Sequence, residues 1–178
     1  MNQPATSRPA RLNGAADAFS TDDLRWVVSQ FKVPEPTSIF LFPRRGNINL
    51  HTYEVHAGDA IYLLQKINPV VFVSPQRVVE AELASIGAQR EALKAHPVPG
   101  WRHIELVDTV EGSPWLDLSD ESGKSIWRLM VYIDESVCYK SLSELPARED
   151  QLALAKETGR GLALYSKLTS SIDAGKVE

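Results

Sequence analysis

Lys66 is the residue of this chain whose type and setting most invite chemistry. It interrupts the apolar run Ala60-Ile61-Tyr62-Leu63-Leu64-Gln65-Lys66-Ile67, and an ammonium on a strand is costly to bury unless it is paired or faces a ligand. A lysine on an edge strand, reaching into solvent, is the competing reading. Strand alternation sends Tyr62, Leu64 and Lys66 to one side and Leu63, Gln65 and Ile67 to the other, so only one set can face a cleft. Gly46 follows Arg44-Arg45. Without a Cβ it permits backbone amides to approach a phosphate, although a plain hairpin turn uses the same residue. Asn49 and Thr52 could tie such a turn together by side-chain to backbone hydrogen bonds. Two carboxylates, Glu80 and Glu82, flank the stripe Val79, Leu83 and Ile86. His51, His56, His96 and His103 show no helical ligand spacing and read as surface or hydrogen-bonded residues. Cys138 reads as an idle thiol, and Trp26, Trp101, Trp115 and Trp127 as packing.

The elements that must position these groups follow from periodicity. Ser20-Thr21-Asp22-Asp23 caps a helix whose apolar face is Leu24, Val27, Val28 and Phe31, and Pro34 and Pro36 end it. Ile39–Phe42, Ile48–Val55 and Ala60–Ile67 read as strands, the last two joined by the hairpin His56-Ala57-Gly58-Asp59. Ser74-Pro75 opens a helix to about Ala95, expected to cross the sheet. Strands are expected at His103–Val110, near Trp115–Leu118 and at Ile126–Ile133. A short helix near Ser143 and a long one from Ala147 complete the chain. The fold class is therefore α+β, with an antiparallel sheet of about five strands and a crossing helix.

Composition narrows the function classes. The 178 residues suit one domain or slightly more, and 43% apolar with 24% charged residues exclude collagen, coiled coil and wholesale disorder. Acidic side chains outnumber basic ones by four, so no cationic field is available for a nucleic acid or an anionic membrane. No run of about 18 apolar residues occurs. Residues 1–18 lack the apolar region of a secretory signal and read as a tail. One cysteine with four scattered histidines forms neither an intrachain disulfide nor a Cys-rich zinc site, which fits a reducing cytoplasm.

The order of these elements resembles the small lobe of protein-kinase-like phosphotransferases: strand, glycine turn, strand, hairpin, strand with a central lysine, helix with a glutamate. Gly46-Asn47-Ile48-Asn49-Leu50-His51-Thr52-Tyr53-Glu54-Val55 and Ile61-Tyr62-Leu63-Leu64-Gln65-Lys66-Ile67-Asn68 resemble the G-x-I-N-x-T-[YF]-x-V and Y-I-L-Q-[KR]-I-N segments of the aminoglycoside phosphotransferase and choline kinase superfamily. The N-acetylhexosamine 1-kinase branch is the nearest in pattern. Ser74-Pro75-Gln76-Arg77-Val78-Val79-Glu80 is similar to its D-P-x-x-V-M-E, and Trp127-Arg128-Leu129-Met130-Val131-Tyr132-Ile133-Asp134 to its W-R-x-Y-x-[FY]-I-[ED]. The family pattern continues with Gly, where this chain has Glu135.

The resemblance implies ATP and Mg²⁺ as cofactors and a nucleotide as partner. Gly46, Asn47, Asn49 and Thr52 would form the phosphate loop. Lys66 would contact phosphate and be held by Glu80, with Glu82 as the rival partner. Met130, Tyr132 and Ile133 would read the adenine edge from the inter-lobe linker. It also implies a division into a tail (1–18), a small lobe (19–128), a linker (129–136) and the start of a truncated large lobe (137–178). The family's H-x-D loop and D-x-D or D-x-E motif are not in this sequence, so no catalytic or metal-binding residue is expected within it. Two functions are open: a partial phosphotransferase acting on a sugar or amino-alcohol hydroxyl once a second chain supplies a large lobe, or a non-catalytic binding or scaffold module that pairs with itself or a partner.

Overall fold

The computed structural model describes residues 19–43, 48–49, 51–121, 123–137, 139 and 141–173. Its elements are α1 (Thr21–Ser29), β1 (Pro36–Leu41), β2 (Thr52–Ala57), β3 (Ala60–Lys66), α2 (Pro75–Ala95), β4 (Leu106–Val107), β5 (Leu116–Asp117), β6 (Ile126–Val131), a 3₁₀ turn (Leu142–Glu144) and α3 (Arg148–Leu168). The class is α+β. Six strands make one antiparallel sheet in the order β1-β2-β3-β6-β4, with β5 also paired to β6. Two compact units divide the chain. Among the described residues, the first holds those up to Glu80 together with Ile104–Tyr132, and the second holds Ala81–His103 and those from Ile133 onward.

In the first unit, α1 begins with a reciprocal cap. Ser20 Oγ accepts from the Asp23 amide at 3.1 Å, and the Asp23 carboxylate accepts from the Ser20 amide at 3.0 Å. These bonds satisfy amide donors that the first turn would otherwise leave open. Arg25 fastens the helix to β1 by donating to the carbonyl of Pro36 at 2.6 Å. The buried stripe Leu24, Val27, Val28 and Phe31 packs on Tyr53, Val55, Leu64, Trp127 and Leu129, and each such side chain removed from water stabilises the fold by about 1.5–3 kcal/mol.

The β2–β3 hairpin closes through Gly58 and Asp59 between the paired residues Ala57 and Ala60. Gly58 has φ 59°, and a Cβ there would stand 3.3 Å from Pro34 Cγ, so the backbone conformation favours glycine and a side chain would crowd Pro34.

Two strands depart furthest from the ranges their sequence pattern predicts. β2 starts at Thr52 instead of Ile48 because Asn49 is engaged outside the ladder, its side chain accepting from the Asn68 amide at 2.9 Å. The segment predicted as a strand over His103–Val110 pairs with β6 at Leu106 and Val107, and the Val131 amide adds a bond to the Glu105 carbonyl. Its continuation turns toward the end of α1, where Asp108 accepts from the Lys32 amide at 2.9 Å and the Val110 amide donates to Gln30 at 2.8 Å.

In the second unit a hydrogen-bonded series joins α2 to α3. Trp101 Nε1 donates to Gln89 Oε1 at 3.0 Å, Gln89 Nε2 donates to Ser85 Oγ at 3.1 Å, and Ser85 Oγ meets the Tyr165 hydroxyl at 2.8 Å. Along α3 only Leu168 is buried. Among the described residues no helix is long and apolar enough to cross a membrane.

Candidate functional site

The register of the ladders sorts the side chains of the sheet onto two faces. Directly opposed residues of antiparallel strands point the same way, so the pairs Val55–Tyr62, Tyr53–Leu64, Leu64–Leu129 and Lys66–Trp127 share the α1 face. Thr52, Gln65 and Arg128, which pair in succession, share the other. The first turn of α2 belongs to this second face. The Gln76 side chain is near enough to Asp117 to help lower its pKa, and Asp117 is opposite Ile126, two residues from Arg128.

Lys66 is therefore directed to the α1 side and is 6% exposed. Its Nζ lies 5.2 Å from the ring centroid of Phe19 and 5.9 Å from that of Trp127. The two rings themselves meet edge to face with centroids 5.1 Å apart. Aromatic faces stabilise a cation by their quadrupole, but burial dominates here and pushes the ammonium below its ordinary pKa. The Lys66 amide donates to the His51 carbonyl at 3.0 Å, extending the β2–β3 pairing one step past Thr52.

The opposite face carries a polar row. Arg128 presents Nε and Nη2 to Gln65 Oε1 at 3.2 and 2.6 Å. Gln65 Nε2 then donates to Thr52 Oγ1 at 3.0 Å, and Thr52 Oγ1 donates to the Asn49 carbonyl at 3.0 Å. Asn68 completes the arrangement. Its amide donates to Asn49 Oδ1, and its side chain donates to the Ile48 carbonyl at 2.7 Å. The start of β2 and the exit of β3 are thus bound to each other and, through Gln65, to the middle of β6. Nearby, burial alone would raise the Asp117 pKa, but hydrogen bonds from Ser119, the Gln76 side chain and the Lys124 charge hold it below the usual carboxylate value.

Among the residues predicted from sequence, Asn49 and Thr52 meet in this row as described. Gly46 and Asn47 lie outside the described residues. Glu80 is exposed on α2. Met130 is buried. The Val131 amide donates to Glu105 at 2.9 Å and the Tyr132 amide to Ile61 at 3.0 Å, so these two donors are committed to the sheet and are closed to an adenine edge. Tyr132 sets its ring against Phe42 with centroids 6.5 Å apart. Ile133, in the second unit, accepts from the Ser136 hydroxyl at 2.7 Å. Glu135 adopts φ 58°, the left-handed conformation that glycine takes most readily.

Sequence reasoning passed over Gln65, Asn68 and Arg128. The available signal was Arg128 itself, a cation in the otherwise apolar strand Ile126–Val131. Among the described residues no group of three or more His, Cys, Asp or Glu is gathered to hold a metal. No protein-family model matches the chain, and no curated protein matches it either.

Proposed function

We propose that the chain is the nucleotide-side lobe of a kinase-like phosphotransferase, similar to the aminoglycoside phosphotransferase and choline kinase superfamily, and acts as part of a complete enzyme that moves phosphate from ATP to a sugar or amino-alcohol hydroxyl. The observation that carries the reading is the sheet connectivity. The meander β1-β2-β3 is followed by a helix, and the chain then returns as β6, inserted beside β3. This brings the stem of the loop between β1 and β2, the polar row and the exit toward Met130 and Tyr132 into one unit.

The role of this lobe is binding and orientation. A base for the acceptor hydroxyl and acids to hold Mg²⁺ across the phosphates are requirements of the reaction, and the sequence has no H-x-D, D-x-D or D-x-E run to provide them. The single Cys138 agrees with a cytoplasmic setting.

Thermal unfolding with and without ATP and Mg²⁺ tests the reading, because a ligand of the native state must stabilise it, by about 2.7 kcal/mol at a hundredfold excess over Kd. The expected result is a rise in the unfolding midpoint that saturates with ATP. A midpoint that ignores ATP at every concentration rejects it. A second reading, a non-catalytic scaffold that pairs with itself, is favoured by the exposure of Leu152, Leu162 and Tyr165 on α3. It requires an ATP-insensitive midpoint together with concentration-dependent sedimentation.

A further inference from the structure

The geometry points to Arg128, held by Gln65, as the residue that receives the polyphosphate of a nucleotide on this lobe, in place of the lysine on β3. The inference rests on the nucleotide-lobe reading above and changes which face and which cation that reading uses. Two chemistry-bearing cations occur in the middle of the sheet, and alternation sends them to opposite sides. Lys66 enters the apolar layer beneath α1, against Phe19 and Trp127, where a ligand would have to displace core side chains. Arg128 stands on the side that carries the first turn of α2 and the stem residues Asn49 and Thr52. On β3 the residue with the right orientation for that side is Gln65, one position before the lysine.

Gln65 supplies no charge, but its carbonyl oxygen accepts two N–H groups of the guanidinium. This fixes the plane of the fork, and a planar fork of fixed orientation suits phosphate oxygens better than a flexible ammonium. Gln65 is in turn fixed by Thr52, and Thr52 by Asn49, so the orientation of the cation depends on the same residues that anchor the loop between β1 and β2. The expected ligand is the triphosphate portion of ATP, and tripolyphosphate alone should compete for the same position.

Isothermal titration of the full chain with ATP and with tripolyphosphate decides the matter. Arg128→Ala should weaken both ligands at least tenfold while keeping the native circular dichroism. Arg128→Lys should recover only part of the loss, because an ammonium cannot make the paired contact with Gln65. Should Arg128→Ala fail to fold, the wild-type protein still gives an answer: the Arg128 Nε–H resonance, assigned by its disappearance in Arg128→Lys, must shift on adding tripolyphosphate. Wild type that binds ATP while Arg128→Ala binds it equally well, or while the resonance stays fixed, overturns the assignment and leaves the lobe reading standing. Loss of binding in Lys66→Met with none in Arg128→Ala returns the role to Lys66. Wild type that binds neither ligand overturns both readings.

Discussion

The α1 side of the sheet and the side opposite it are made by the same strands, yet they are finished by different chemistry. Toward α1, Tyr53, Val55, Leu64, Trp127 and Leu129 close a dry layer against Leu24, Val27, Val28 and Phe31, and the one ammonium admitted to it sits against aromatic rings. Away from α1, the row Thr52, Gln65 and Arg128 is linked by side-chain hydrogen bonds. The first side gains its stability from area removed from water, which any substitution that empties volume will reduce. The second also buries Ile126 and Met130 on either side of Arg128, and along its polar row it gains orientation, because each polar group fixes its neighbour. A site must be sought where side chains are oriented more than where they are buried, and this separates Arg128 from Lys66 although both are cations on apolar strands.

The comparison breaks most decisively at Trp127. Its indole is fully buried beneath α1, and its Nε1 donates to Ser125 Oγ at 3.2 Å. Trp127→Ala should cost about 3–5 kcal/mol from lost transfer free energy and the cavity left behind, read as a lower urea midpoint at unchanged slope. A loss under about 1 kcal/mol would mean that the layer under α1 is not the principal core. Gln65→Ala, on the opposite face of the neighbouring strand, should cost only about 1–2 kcal/mol, the scale of hydrogen bonds withdrawn from partly exposed partners. It should also lower ATP affinity by freeing the Arg128 fork. If the two substitutions prove equally destabilising, the two faces do not divide the labour in this way.

Much of this division was legible locally. The capping residues Ser20 and Asp23 mark the start of α1, and the spacing of Leu24, Val27, Val28 and Phe31 marks the side it buries. Gly58-Asp59 marks the hairpin, and Ser74-Pro75 marks the start of α2. The Lys66 anomaly was visible as well, together with the two sets of alternating residues on its strand. The sequence did not reveal which set faces the helix, because that depends on β6 pairing with β3 across 63 residues. No local pattern encodes a partner at that distance. For the same reason the Gln65–Arg128 contact could not be anticipated, although each residue was individually visible as a polar group in an apolar strand. The shortening of the strand predicted over His103–Val110 has a similar origin, since the end of α1 takes over its backbone partners.

The smallest effect, and the one of opposite sign, belongs to Lys66→Met. Burial holds the Lys66 pKa in the folded chain below its ordinary 10.5. Wherever the pH lies below the folded value, the amine is protonated in the folded and unfolded states, and the folded state bears a penalty for desolvating the charge. As pH rises from the folded value toward 10.5, the folded amine loses its proton first, the unfolded chain binds more protons, and stability contributed by this residue increases. Above 10.5 both states are neutral and the gain is complete. Methionine keeps the aliphatic length against Phe19 and Trp127 without the charge. Lys66→Met should therefore raise the urea midpoint at pH 7 by less than Gln65→Ala lowers it, and should remove the rise in stability on the alkaline side. A variant that is less stable than wild type at pH 7 and keeps that rise would show that the ammonium is an asset under α1, and would return Lys66 to the centre of the search for a ligand.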